Sequence, residues 1–229
     1  GADEGSETRS SLMWETLNII KNMGVWKPRV VIWENVKNVL SKHMAHNFSR
    51  YIKEMDKLGY TSNYAILNAM DFGLPQNRDR VFTVSCLDGT FFNFNTLERR
   101  KMRNIREFLE DVNEEKYIVS QPSMLKKINN ADGNFGGRVQ IIKDYCSTIT
   151  TKQMRCPNSG VIALGDGRYR YLTERECWRL QGFKDTDFEA ALRVHPGIKG
   201  KLNGTLYKQA GNSIPVTILE AILKQLLNI

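Results

Sequence analysis

The sequence is poor in cysteine and histidine and contains no long apolar run. Among 229 residues there are four Cys and three His, and no two Cys have the Cys-x-x-Cys spacing of a zinc site. The cysteines are too few for a disulfide-rich secreted domain. No apolar stretch approaches the roughly 20 residues that a membrane-spanning helix needs, and no signal peptide is visible. These absences argue against a metal centre and a membrane protein, and they make the reducing cytoplasm the simplest location.

The sequence is basic, with more cationic than anionic side chains. Lys and Arg number 33 against 25 Asp and Glu, which leaves a net charge of +8. Between Gln121 and Leu172 there are eight Lys or Arg and three Asp. This balance suits a polyanionic partner, nucleic acid first, although many basic proteins bind none. The alternative for Gln121 to Leu172 is a solvated basic loop region.

Residues Val30–Val36 predict a buried strand that leads to a carboxylate. Val30 to Trp33 are four apolar, largely β-branched residues in a row, a pattern typical of strands buried in a parallel sheet. Glu34 follows, and ligands of open α/β sheets bind beyond the carboxyl ends of the strands. The alternative is that Glu34 and Asn35 simply begin a polar loop.

Helices and strands alternate around this segment. Apolar spacing predicts helices from Ser11 to Met23 and from Asn47 to Leu58, and strands at Asn63–Asn68 and Arg80–Cys86. This order is typical of α/β architecture.

The pattern changes after residue 86. Short apolar pieces alternate there with Gly, Asn, Ser and Pro, which predicts a separate small domain of strands and loops. We therefore expect a first domain at 1–86, a second at 87–198, and a C-terminal helical segment at 199–229 that rejoins the first.

Two helix starts are clear in the second half. Thr173 and Glu176 form a capping box, which predicts a short helix from Glu174 to about Gly182. Ser213 is predicted to cap the last helix, with Pro215 in its first turn.

A pair of arginines enters the strand at residue 80. Arg78 and Arg80 are two apart, which predicts that both point to the same face. Two adjacent guanidinium groups repel each other unless an anionic or carbonyl-rich group binds between them. The alternative is a solvated edge strand.

Four segments then make the pattern specific. They are Glu34-Asn35-Val36, Phe72–Arg80, Leu172–Phe183 and Lys208–Pro215. In this order they resemble the DNA (cytosine-5) methyltransferases, most closely the bacterial type of restriction-modification systems. The resemblance covers nearly the whole chain and is weakest between residues 87 and 144. It implies a partial Rossmann-like methyltransferase sheet plus a small target-recognition domain, S-adenosylmethionine as methyl donor, and duplex DNA as substrate.

The resemblance also assigns catalytic roles. In this family a thiolate adds to cytosine C6 while N3 gains a proton, so an acid is needed at N3, and Glu34 matches it. Arg80 matches the contact to O2, where negative charge collects, and Arg78 matches the other arginine of that segment. Arg9 resembles a phosphate-contacting arginine. The base must leave the duplex to meet these groups.

Further positions match binding segments. Thr148 and Ile149 resemble a Thr-hydrophobic pair of the family's DNA-recognition domain. Asn212 and Ser213 resemble a segment that lines the methyl-donor pocket, with a plain helix cap as the alternative for Ser213.

Two family segments are missing. Neither a Phe-x-Gly-x-Gly donor loop nor a Pro-Cys-Gln nucleophile occurs, and Cys156-Pro157 has the reverse order. Cys177 lies in a predicted helix, and Cys86 and Cys146 lack a partner base, so none is expected to be the nucleophile. Because Gly1–Arg9 resembles the loop that follows the nucleophile, we expect a C-terminal portion that is inactive alone and is completed by an N-terminal part.

Two alternatives stay open. The chain could be a non-catalytic DNA-binding subunit of a split methyltransferase, completed by a partner subunit, or a tRNA-directed relative. The length and basic balance of the recognition region favour duplex DNA. The target site does not follow from the sequence, because base readout depends on a few side chains in the major groove.

Overall fold

A computed structural model describes residues 12–129, 139–155 and 157–228. The helices are α1 (Leu12–Asn22), α2 (Ala45–Lys57), α3 (Pro122–Asn129), α4 (Glu174–Leu180), α5 (Asp185–Val194), α6 (Gly204–Asn212) and α7 (Val216–Leu227). The strands are β1 (Val30–Val36), β2 (Thr61–Asn68), β3 (Gln76–Asn77), β4 (Asp79–Cys86), β5 (Cys146–Ser147), β6 (Ile162–Ala163) and β7 (Tyr169–Arg170). The predicted α/β class is confirmed. Across the described ranges, no helix combines the length and apolarity needed to cross a membrane.

The chain divides into two compact units. Among the described residues, unit 1 comprises 12–67, 79–97 and 225–228, and unit 2 comprises 68–78, 98–129, 139–155 and 157–224.

Unit 1 contains a three-stranded sheet in the order β1-β4-β2, together with α1 and α2. Apolar side chains of both helices pack with Val81 and partly buried Trp33 of the sheet, and Trp33 stacks on Phe48 and Tyr51 with ring centroids 5.8 and 5.1 Å apart. All five elements predicted in this part of the chain, two helices and three strands, are present.

The predicted parallel pairing of β1 is wrong. The strand pairs antiparallel with β4 along its whole length, from Val30 opposite Cys86 to Val36 opposite Arg80. It is also half-buried rather than fully buried. An apolar run reports burial and strand propensity, but it carries no information about the direction of the neighbouring strand.

Unit 2 is built from short strands and helices. β3 pairs in parallel with β5, and β6 pairs antiparallel with β7. The capping box of α4 is confirmed: Thr173 Oγ1 accepts from the Glu176 amide and the Glu176 side chain accepts from the Thr173 amide. The helix ends at Leu180, just before Gly182 with φ +90°.

Three helices of unit 2 were not predicted, namely α3, α5 and α6. The sequence of α6 includes two glycines, which lower its intrinsic helix propensity. Its buried Leu206, Tyr207 and Ala210 supply the tertiary contacts that stabilise it instead.

Candidate active site

Glu34 and Arg80 lie on neighbouring strands and form an ion pair. Glu34 is opposite Phe82 in the β1–β4 register, so Arg80, two residues before Phe82, is its diagonal neighbour on the same face. Arg80 Nε lies 3.2 Å from Glu34 Oε1, and the two side chains are 14% and 18% exposed. The structure therefore brings these two predicted catalytic residues together where little water reaches them.

The surroundings hold Arg80 in one orientation. Its Nη1 donates to the Asp79 carbonyl oxygen at 2.7 Å. Burial lowers the pKa of the Arg80 guanidinium, and the Glu34 and Asp79 carboxylates partly oppose this shift. An arginine starts from so high a pKa that it stays cationic. The pair thus presents a carboxyl group beside a fixed cationic donor, an arrangement that can protonate one atom of a flat ring and stabilise negative charge on the next.

Arg78 lies in a different environment from Arg80. It is 3% exposed, and its Nη1 donates to the Ile149 carbonyl oxygen at 2.9 Å. Its Nη2 donates to the carbonyl oxygens of Ser213 at 2.9 Å and Gly211 at 3.3 Å. Backbone carbonyl oxygens of three residues thus bind Arg78, whereas Arg80 pairs with the Glu34 carboxylate and one carbonyl oxygen.

The prediction that both arginines share one strand face is therefore wrong. Arg78 falls between β3, which pairs with β5, and β4, which pairs with β1. Side-chain alternation holds only within a continuous strand.

The predicted DNA-contacting pair follows β5 directly. Thr148 is half-buried, and its Oγ1 donates to the Asn77 carbonyl oxygen at 2.9 Å. Ile149 has no exposed surface, and its amide donates to Gln76 Oε1 at 3.0 Å. A contact between the Ile149 side chain and DNA would require this segment to open, so its burial favours an anchoring role.

Gln76 is a residue to which the sequence analysis gave no role. It is fully buried, and its Nε2 donates to the Leu180 carbonyl oxygen at 2.9 Å. It belongs to Phe72–Arg80, one of the four segments that carry the resemblance, but its place in a polar stretch directly after Pro75 gave no sign that its side chain is buried.

Ser213 caps a different helix from the one predicted. It follows the last residue of α6, and its Oγ donates to the Gln209 carbonyl oxygen at 2.7 Å, whereas α7 begins only at Val216. Asn212, the last residue of α6, is exposed. Of the two predicted donor-pocket residues, Asn212 thus has its side chain available at the surface.

The described cysteines are buried thiols that solvent scarcely reaches. Cys86, Cys146 and Cys177 are all free and buried. Burial raises the pKa of each, that of Cys146 to about 12. Since the thiolate is the nucleophile, none of these three is suited to attack. Cys156 and Arg9 lie outside the described residues.

Comparison of the sequence with known proteins identifies one family. A model of C-5 cytosine-specific DNA methylases matches residues 1–228. The chain is 38% identical to the Type II methyltransferase M2.ScrFI of Lactococcus lactis subsp. cremoris, covering 98% of the chain and 60% of that protein. It is 31% identical to the Type II methyltransferase M.SsoII of Shigella sonnei, covering 97% and 58%. The chain therefore spans about 60% of the length of these curated relatives.

Comparison of the structure agrees on the fold. The Entamoeba histolytica methyltransferase EhMeth superimposes with a TM-score of 0.72 at 18% identity, over 94% of this chain and 68% of that one. The S. pombe Dnmt2 methyltransferase gives a TM-score of 0.71 at 20% identity, over 97% and 74%. At these identities the likeness establishes the methyltransferase fold.

Proposed function

Because this chain belongs to the C-5 cytosine-specific DNA methylase family, we propose that it is the C-terminal portion of an enzyme that methylates C5 of cytosine in duplex DNA. The observation that carries the proposal is the ion pair between Glu34 and Arg80. Both residues were assigned to the reaction from the sequence, and they meet on adjacent strands.

The pair activates the cytosine ring. C5 is a poor nucleophile until a thiolate has added to C6 and the ring has become an enamine. In its protonated form Glu34 delivers the proton that N3 gains in this step and becomes the carboxylate that pairs with Arg80, while Arg80 stabilises the negative charge on O2. Low exposure strengthens both interactions, because water screens them less. The base reaches the pair only after it has left the DNA stack.

The methyl donor is S-adenosylmethionine, which supplies an electrophilic methyl group. Asn212 can reach a bound donor, since it is exposed at the end of α6 and its side-chain amide can both donate and accept hydrogen bonds. Ser213 fits less directly, because its hydroxyl and carbonyl groups already bond to Gln209 and Arg78. We propose that Asn212 contacts the donor and that Ser213 positions Asn212.

The nucleophile comes from another polypeptide segment. This sequence contains no Pro-Cys-Gln, and the described thiols are buried with raised pKa values. Unit 1 also has surface that suits a covering partner: Val25 and Trp26 are 93% and 80% exposed, and within the described chain β1 pairs on one side only. We propose that the N-terminal part of the enzyme, on the same chain or a partner subunit, supplies the nucleophile and the donor loop.

The DNA-recognition surface lies in unit 2. Thr148 is followed by exposed Lys152 and Arg155, whose charges suit DNA phosphates. Arg170 does not contribute, because Glu176 neutralises it in the interior. We propose that this surface binds duplex DNA in the cytoplasm.

Complementation tests the proposal. The chain is mixed with a polypeptide that carries the donor loop and the Pro-Cys-Gln segment, and transfer of labelled methyl groups from S-adenosylmethionine to duplex DNA is measured. We expect no transfer by the chain alone and transfer to cytosine C5 by the mixture. Arg80→Ala in the mixture is compared with Lys57→Ala, which removes an exposed cation that pairs with Glu54 in the same unit.

The outcomes separate the alternatives. Equal activity of Arg80→Ala and Lys57→Ala would refute the assigned site. Methylation by the purified chain alone would refute the external nucleophile. Transfer to tRNA in place of duplex DNA would identify a tRNA-directed enzyme.

A further inference from the structure

The segment after β5 is held by side chains of the β3 region. In the parallel pairing, Gln76 is opposite Cys146 and Asn77 is opposite Ser147. Beyond Ser147 the backbone ladder stops, and the bonds to Thr148 Oγ1 and to the Ile149 amide replace it. The Gln76 side chain therefore supplies the hydrogen-bond acceptor that a backbone carbonyl group would supply to the Ile149 amide if the strand pairing continued.

Gln76 also joins this segment to α4. Its Oε1 accepts from the Ile149 amide, while its Nε2 donates to the Leu180 carbonyl oxygen and lies 3.4 Å from Gln181 Oε1. Gln181 in turn donates to the Ala210 carbonyl oxygen at 2.7 Å. Because Gln76 has no exposed surface, water cannot replace these partners, and the amide has one orientation that satisfies both ends.

The opposite side of the segment is also confined. A Cβ added to Gly211 would lie 2.4 Å from the Thr150 carbonyl carbon and 2.4 Å from the Thr151 nitrogen. The end of α6 therefore touches the backbone just after Ile149, while Arg78 holds the Ile149 carbonyl oxygen. Because the segment cannot move towards α6, the hydrogen bond from the Ile149 amide to Gln76 Oε1 is the contact that fixes its backbone orientation on the other side.

We propose that Gln76 is a positioning residue for DNA recognition: its buried side-chain amide sets the orientation of the segment carrying Thr148, and with it the exposed Lys152 and Arg155. This role rests on the proposed function of unit 2 as the DNA-recognition surface. Gln76 touches no DNA itself. It acts through the backbone of Ile149, so its loss alters which sequences are preferred more than whether the chain folds.

The test compares Gln76→Met with Tyr117→Phe. Methionine has a similar volume and lacks both hydrogen bonds of the amide. Tyr117→Phe removes one buried hydrogen bond of unit 2, from Tyr117 Oη to Glu174 Oε2 at 2.6 Å, between two residues that both lie outside residues 146–155. Gln76→Glu serves as the conservative rescue, because burial favours the protonated carboxyl group, which can accept from the Ile149 amide and donate to the Leu180 carbonyl oxygen.

Two readouts are taken on the full chain. Amide hydrogen exchange at Ile149 needs no DNA, and we expect about tenfold faster exchange in Gln76→Met, the factor that one buried hydrogen bond typically contributes. A library of random 40-base-pair duplexes, sequenced before and after capture by the chain, reports sequence preference. We expect Gln76→Met to lose most of the wild-type enrichment, while Tyr117→Phe keeps it and Gln76→Glu regains it.

Each outcome decides the question. Unchanged amide exchange at Ile149, or the same enriched motif in Gln76→Met as in the wild type, refutes the role of Gln76. It leaves DNA recognition by unit 2 standing. If Tyr117→Phe loses the same enrichment, Gln76 contributes only to general stability, and its positioning role is also refuted. A wild-type chain that enriches no duplex refutes DNA recognition by unit 2, and the role of Gln76 falls with it.

Discussion

The buried thiols give a prediction whose size follows from the structure. Burial raises the pKa of Cys146 from 9.0 to about 12. Three pKa units reduce the thiolate fraction about 1,000-fold at pH 8, and the thiolate is the form that reacts. The side chain also has no exposed surface, which slows any reagent further. We therefore expect Cys146 to be alkylated at least about 1,000-fold more slowly in the native chain than in the unfolded one.

The assay is iodoacetamide labelling at pH 8, with and without guanidinium chloride, followed by mass spectrometry of the separate cysteine peptides. Cys177, fully buried and with its pKa also raised by burial, should behave like Cys146. Labelling of either residue within tenfold of its unfolded rate, while the circular dichroism spectrum stays native, would refute this reasoning. It would also make the labelled cysteine a candidate nucleophile within this chain.

The same shift predicts a pH dependence of stability. Burial raises the pKa of the Cys146 thiol above its unfolded value, so the stability is complete below pH 9 and is lost as the pH rises towards the folded pKa. Between pH 8 and pH 10 this one group should cost about 1.4 kcal/mol of unfolding free energy. Urea titrations at both pH values measure it, and Cys146→Ala should remove that part of the loss.

Three further predictions follow from the two units. In the complemented enzyme, Glu34→Gln should lower the single-turnover methylation rate by several orders of magnitude, because an amide cannot protonate N3, and Arg80→Ala should cost about 100- to 1,000-fold; a tenfold or smaller loss in both would refute their roles. Arg170→Met should lower the unfolding free energy by about 3–5 kcal/mol in urea titrations, because it removes the counter-charge of a buried carboxylate. That carboxylate belongs to Glu176, whose side chain is 0% exposed and lies 2.8 Å from Arg170 Nη2. A loss under about 1 kcal/mol would contradict this expectation. Duplex binding by the chain should fall steeply between 50 and 200 mM salt, as phosphate contacts require, and fluorescence anisotropy that stays flat across this range would exclude an electrostatic surface.

The sequence by itself determined the local elements and the family. The helices α1 and α2 and the capping box of α4 follow from periodicity and from Thr173 and Glu176, which act within a few residues of each other. The ordered segments around Glu34 and Arg80 were enough to identify the methylase family, because each keeps its residues close together in the chain. The predicted domain boundaries, the DNA contact of Thr148 and the donor contact of Asn212 stay predictions.

Only the tertiary structure decided what meets across long stretches of chain. The antiparallel pairing of β1 with β4, the bonds from Arg78 to residues 149, 211 and 213, and the bond between Gln76 and Ile149 join positions tens of residues or more apart. No periodicity encodes such pairings, since a buried amide or guanidinium selects its carbonyl partners only once the backbone has brought them within hydrogen-bonding distance. Arg78 and Arg80 illustrate the difference: the same residue type, two positions apart, binds backbone carbonyls in one place and a carboxylate in the other, because the strand is interrupted between them.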